Sequence, residues 1–196
     1  MRPLAFTFPY VLVFVALFVW GFFAEGRLVS KAIGETAAAR APQDKGSLAV
    51  VMVTQGLGFA AAFFLAWAPF GRVHEQRIIF WVGIAVLVTG IVLRRLCFRA
   101  LGQSFTGEVR VRAEQRVITS GPYRWVRHPA YTAGILMIVG VALTLGTWLG
   151  AVIALPLTVG GYWYRVRVEE RALMDTLGPA YREYASRTWR FIPFIV

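Results

Sequence analysis

Four windows of the chain, residues 3–24, 46–71, 78–93 and 129–164, carry no Asp, Glu, Lys or Arg. About 20 consecutive apolar residues cross the hydrocarbon core of a bilayer, so the first two windows each predict one transmembrane helix. The apolar stretch of the first exceeds the h-region of about 7–15 residues in a removable signal peptide, and it is expected as a span. The third window is short, but Arg94 and Arg95 follow it directly and can snorkel to the headgroups from its end. The fourth is too long for one crossing and suffices for two short ones, turning near Gly146, Thr147 and Trp148. The expected fold class is an all-α integral membrane protein of about five transmembrane helices, with a cytoplasmic loop and a C-terminal helix outside the bilayer.

Charge tests that count independently. The 196 residues hold 21 Lys plus Arg and 10 Asp plus Glu, a net charge of +11, with 58% hydrophobic and only 16% charged. An ordinary soluble domain carries about 25% charged residues. A disordered chain or a nucleic-acid binder is excluded on this balance, because the basic excess is split by long apolar runs and serves lipid headgroups and topology instead. With five crossings and the N-terminus outside, every Lys and Arg except Arg2, Arg72 and Arg77 falls on the inner side. That asymmetry is the positive-inside pattern and predicts a cytoplasmic C-terminus. Cys97 is the single cysteine, so intramolecular disulfides and cysteine-based metal sites are excluded.

The organisation read from these windows is an N-terminal three-span region, residues 1–97, and a region 98–196 holding a loop, a two-span hairpin and a cytoplasmic helix. In the loop, residues 98–128, Val109, Val111 and Val117-Ile118 read as short extended pieces around a polar turn at Ala113, Glu114 and Gln115. Residues 30–46 read as a linker or interfacial helix. After residue 165 a helix is expected to end near Leu177-Gly178, with a second starting at Pro179.

Two constellations could carry chemistry. The first is the string Gly121-Pro122-Tyr123-Arg124-Trp125-Val126-Arg127-His128-Pro129-Ala130-Tyr131-Thr132-Ala133-Gly134. Pro129 disfavours helix at His128, which places His128 at the mouth of the fourth span and Tyr131 one turn inside. A helix N-terminus offers unpaired N–H groups and a positive dipole end to an anion. An interfacial anchor of aromatic and basic residues reads equally well from these residues alone. The second runs from Tyr162 to Leu173. Arg165 and Glu169 are four apart and share a helix face, with Tyr162 a turn earlier, whereas Glu170 and Arg171 read as members of ordinary solvated ion pairs.

Taken together, these strings resemble the isoprenylcysteine carboxyl methyltransferase family and the related phospholipid N-methyltransferases. The likeness begins at Leu101-Gly102-Gln103-Ser104-Phe105-Thr106 and runs through Val117-Ile118-Thr119-Ser120-Gly121-Pro122-Tyr123 and the Arg127-His128-Pro129-Ala130-Tyr131 core. It resumes at Arg165 with Glu169-Glu170 and ends with Leu177-Gly178-Pro179-Ala180-Tyr181 and Arg190-Phe191-Ile192-Pro193. The resemblance implies a membrane enzyme using S-adenosylmethionine, bound by the cytoplasmic loop. It implicates Gln115, Arg116, Val117 and Ile118 as a cofactor cradle, then Tyr123, His128, Pro129, Ala130, Tyr131 and Glu169. Arg165 matches a family arginine that faces the methyl acceptor.

A lipidic or prenylated acceptor follows from a cytoplasmic cofactor loop opening between apolar spans, with membrane lipids as neighbours and neither nucleic acid nor metal as a partner. A carboxylate acceptor, the favoured case, would be oriented by Arg165 and Arg127 and needs no base, whereas an amine would need Glu170 or His128 to take its proton. A thiol acceptor is a third case. Two readings of other classes stand beside these, a nicotinamide-dependent membrane reductase and a membrane protein without enzymatic activity. A bacterial inner membrane, with the cofactor site on its cytoplasmic face, is the expected location.

Overall fold

The computed structural model describes residues 2–23, 44–102, 109 and 117–192. Gln115, Arg116, Val111, the turn at 113–115 and most of the 30–46 stretch lie outside these residues. A short 3-10 turn, Leu4–Phe6, precedes α1, Tyr10–Phe18, which continues through a π-helical turn, Val19–Phe23. Then follow α2, Ser47–Trp67, and α3, Gln76–Leu101. A 3-10 turn, Gly121–Arg124, leads to α4, Pro129–Thr144, α5, Trp148–Leu177, and α6, Pro179–Ser186. No strand occurs among the described residues, so Val117-Ile118 are irregular rather than extended into a sheet.

Two helices, α2 and α3, are long and apolar enough to cross a membrane, and only 17% and 33% of their most apolar stretches are buried. Their exposed Phe64, Ile78 and Trp81 would be unfavourable in water but suit lipid. The apolar helices at Tyr10–Phe23 and Pro129–Thr144 are shorter. The first is shorter than its charge-free window because Pro9, at the N-cap, cannot continue a helix toward the N-terminus.

The third span differs from the sequence expectation. α3 does not end at Arg94 but runs to Leu101, since no breaker precedes Gly102, which sits at φ +51°. The boundary expected between residues 97 and 98 therefore falls inside a helix. Arg94 does not snorkel outward either; its Nη1 donates to the Ala130 carbonyl at 2.8 Å. Arg95 lies over the Trp20 ring at 4.2 Å and donates to the Trp20 carbonyl.

Helices α3 and α4 pack almost backbone to backbone through Gly83, Gly90 and Gly140. A methyl added at Gly140 would lie 2.6 Å from the Leu87 amide nitrogen, and one at Gly90 2.9 Å from the Ala133 carbonyl oxygen. Small residues permit this approach where lipid, rather than water, surrounds the helices and close packing drives association. Gly140→Ala is expected to cost about 1–3 kcal/mol by overpacking, read as a lower melting temperature in detergent; an unchanged melt would mean that the pair separates easily. At the end opposite the site, Val73 N–H donates to the Gly146 carbonyl and Trp148 N–H to the Gly71 carbonyl, so the α2–α3 and α4–α5 turns lock together.

α5 carries the chain directly from the apolar hairpin into the charged tail, because the charges that begin at Arg165 contain no helix breaker before Gly178. Its last turns thus hold Arg165, Glu169 and Glu170 rigidly beside the first turn of α4.

Candidate active site

Pro129 starts α4 and leaves His128 as its N-cap, outside helical geometry. This directs the His128 ring at α5, where Nε2 lies 3.2 Å from Glu170 Oε1 and Nδ1 3.8 Å from Glu169 Oε2. One turn on, the Tyr131 ring stacks between His128, at 5.6 Å and 16°, and Tyr162, at 4.7 Å and 27°. The Tyr131 hydroxyl donates to Glu169 Oε2 at 2.7 Å and accepts from Arg165 Nε at 3.0 Å. Tyr131 is therefore the joint between the two residues that the helix spacing places on one face. Gly134 leaves room for this arrangement, since a side chain there would collide with the Tyr162 hydroxyl and lie 2.9 Å from Arg94 Nη1.

Glu170 departs from its sequence reading. Only 8% of its side chain is exposed, against 31% for Glu169, and it is no member of a solvated ion pair. Arg127 Nε approaches Oε1 at 3.1 Å, Arg190 Nε approaches Oε2 at 3.1 Å, and His128 completes the ring of partners. Burial alone would raise its carboxyl pKa, but the His128 hydrogen bond and the Arg127 and Arg190 charges outweigh it and hold the group below its ordinary value. A carboxylate held in this way is a weaker proton acceptor, which weighs against it as the base an amine acceptor would need.

Arg127 is held as closely. Its Nη1 donates to the Thr188 carbonyl at 3.0 Å and to the Ala185 carbonyl, so its guanidinium ties the mouth of α4 to the end of α6 and to Glu170. Local sequence could not show this because the partners lie more than 40 residues away.

The tail packs back over the turn. Arg127 N–H donates to Trp189 O at 2.7 Å, Trp189 N–H to Trp125 O at 3.0 Å, and His128 N–H to Arg190 O at 3.0 Å. The Thr132 hydroxyl reaches Phe191 O at 2.7 Å, and Phe191 stacks on Trp163. Tyr184 on α6 donates its hydroxyl to the Tyr123 carbonyl at 2.7 Å, fixing the 3-10 turn. The Phe191 ring thus packs on Trp163, while the Trp189 backbone is tied to the turn and its side chain stays 40% exposed.

A model of the family described as phospholipid methyltransferase matches residues 78–180. A probable protein-S-isoprenylcysteine O-methyltransferase of Oryza sativa subsp. indica is 33% identical over 129 residues, 64% of this chain and 67% of the relative. The chain belongs to the isoprenylcysteine carboxyl methyltransferase family. Protein-S-isoprenylcysteine O-methyltransferase B of Arabidopsis thaliana is 29% identical over 115 residues, 58% of each chain. A solved structure of the eukaryotic intramembrane Ras methyltransferase isoprenylcysteine carboxyl methyltransferase, without a monobody, shares the fold. It has a TM-score of 0.61 at 21% identity, covering 74% of this chain and 52% of that one. This member of a methyltransferase family thus spans between about half and two thirds of the length of these relatives.

Within this isoprenylcysteine carboxyl methyltransferase-like chain, the structure brings Tyr123, His128, Pro129, Ala130, Tyr131, Arg165 and Glu169 to one end of the α4–α5 pair. A cavity of about 950 Å³ is lined by Val117, Thr119, Arg124, Tyr184 and Arg187, among others. Among the described residues implicated in cofactor binding, Val117 lines it. Sequence reasoning missed Asp44, which reaches Arg165 Nη1 at 3.1 Å from the stretch read as a linker. Burial pushes the Asp44 carboxyl up, but the Val109 and Leu48 N–H groups, the Ser47 hydroxyl and the Arg165 charge hold it below the usual range. An Asp just before an apolar helix, a residue type whose side chain accepts from helix-opening N–H groups, was the available signal.

Proposed function

We propose that this chain transfers a methyl group from S-adenosylmethionine to the carboxylate of a lipidic or prenylated acceptor. The observation that carries the reading is Arg165 held beside Glu169 through the single hydroxyl of Tyr131. The donor set fits the cofactor. Glu169 is the more exposed of the two adjacent carboxylates, and an ionised carboxylate accepts hydrogen bonds from an amino group or ribose hydroxyls. Tyr131, sandwiched between the rings of His128 and Tyr162, holds its hydroxyl in place against Glu169.

S-adenosylmethionine supplies an electrophilic methyl: the acceptor oxygen forms the new bond, the carbon–sulfur bond breaks with its electron pair left on sulfur, and no proton moves. Arg165 then has one task, to orient an already ionised carboxylate, with alignment and exclusion of water providing the acceleration. The engagement of Glu170 by cations and a ring nitrogen weighs against an amine acceptor. Five crossings with the C-terminus and this site on the cytoplasmic side remain part of the proposal, supported by the one-sided placement of Lys and Arg.

Calorimetric titration of the detergent-purified protein with S-adenosylhomocysteine tests the cofactor half. Binding in the micromolar range is expected, with Glu169→Ala weakening it about tenfold or more, the effect of losing a charge-assisted hydrogen bond. Well-folded protein that binds no S-adenosylhomocysteine, yet binds reduced nicotinamide cofactor, would move the chain to the reductase reading.

A further inference from the structure

We propose that Asp44 is a positioning residue of the acceptor site, fixing the Arg165 guanidinium and tying it to the chain beyond α3 through Val109. The inference rests on the reading of Arg165 as the acceptor-facing cation. Asp44 lies outside the residues matched by the family model and ahead of the first residue of α2.

The geometry is that of a brace. A buried carboxylate must be paired, and Asp44, 8% exposed, is paired on both oxygens. Oδ2 accepts from the Leu48 N–H at 3.2 Å, which satisfies one of the unpaired donors opening α2. Oδ1 accepts from Arg165 Nη1 at 3.1 Å, from the Ser47 hydroxyl at 2.9 Å and from the Val109 N–H at 3.2 Å. Arg165 Nη1 also donates to Ser47 Oγ at 3.1 Å, so Asp44, Ser47 and Arg165 close a triangle. The Val109 side chain is buried against Val168 and Ala172, the next two turns of α5 beyond Arg165. One carboxylate therefore fastens together the start of α2, the acceptor cation and Val109.

The backbone is bent to make this possible. Lys45 at φ +47° and Gly46 at φ +75° are consecutive left-handed residues, and the first is not glycine. Such a conformation persists where its surroundings impose it. Here the Tyr164 hydroxyl donates to the Lys45 carbonyl at 3.3 Å, and the Ser47 N–H donates to the Asp44 carbonyl at 2.8 Å. Arginine has five N–H donors in a fixed fork. Asp44 and Ser47 hold the Nη1 edge and the Tyr131 hydroxyl holds Nε, so the guanidinium plane is set from two sides, and without Asp44 the long side chain is steered by Tyr131 with less definition.

The test is methyl transfer from labelled S-adenosylmethionine to N-acetyl-S-farnesylcysteine by the full chain in lipid vesicles, comparing wild type with Asp44→Asn, Asp44→Glu and Ser47→Ala. Asp44→Asn is expected to lower kcat about 10–100-fold, the scale of an ångström-sized misplacement, with S-adenosylhomocysteine affinity unchanged. Asp44→Glu should recover turnover above the asparagine variant, and Ser47→Ala should give a smaller loss in the same direction. An unchanged kcat overturns the proposal. So does a lower acceptor KM at constant kcat, which would make Asp44 a competitor for Arg165, and so does equal loss of thermal stability and cofactor binding in Asp44→Asn and Ser47→Ala. Wild-type protein that methylates no prenylcysteine removes the acceptor reading itself and this role with it, whereas active wild type with an unaffected Asp44→Asn removes the Asp44 role alone.

Discussion

Arg165→Ala is expected to reduce kcat/KM for a prenylcysteine acceptor by about 10²–10³-fold, since truncating one partner of a buried, hydrogen-bonded charge pair costs about 2–5 kcal/mol. Two losses combine in it. The acceptor carboxylate loses its cation, and Asp44 and the Tyr131 hydroxyl lose a donor they share with it. Arg165→Lys keeps the charge but cannot reproduce the Nε contact to Tyr131 together with the Nη1 contacts to Asp44 and Ser47, so it should fall between alanine and wild type. Steady-state kinetics with the acceptor varied, alongside S-adenosylhomocysteine titration, separates this from a cofactor defect. Wild-type kinetics in Arg165→Ala would remove the carboxylate reading.

Glu170→Ala is expected to act on the fold rather than on the chemistry. It leaves Arg127 and Arg190 facing each other without their shared carboxylate, and breaking a buried pair this way costs about 3–5 kcal/mol. The tail would loosen with it, because the 127–128 backbone and the Arg190 side chain are held in the same cluster. Acidity gives a second handle. The folded-state pKa of Glu170 lies below its ordinary value of 4.5, so its stabilisation is fully present above that value and is lost as pH falls through the lower, folded value. The stability gap between wild type and Glu170→Gln should therefore narrow as the pH falls below about 4.5. Denaturant unfolding in detergent at several pH values measures this; a gap that fails to narrow below about pH 4.5 would contradict the depressed pKa.

Much of the architecture was legible before any coordinates. Charge-free windows located the helices of both hairpins, and Pro129, the Gly146–Trp148 turn and the Gly178-Pro179 break act through local backbone restrictions that a neighbouring helix does not alter. The shared face of Arg165 and Glu169 was legible too, because helical periodicity alone places residues four apart together.

What the sequence determined by itself was therefore local: where apolar length suffices to enter a membrane, where the chain must turn, and which residue types stand at the mouth of α4. Only the tertiary structure decided which charges meet. Asp44 looked like part of a linker and reaches Arg165 across 121 positions; Arg127, read as a second acceptor cation, also meets Ala185, Thr188 and Glu170. Glu169 and Glu170 are adjacent and identical in type, yet one is open and the other buried, because neighbouring helix positions point about 100° apart and the docked tail covers only one of them. Burial and pairing are set by what packs opposite a side chain. That information lies in residues distant along the chain, so no local pattern carries it.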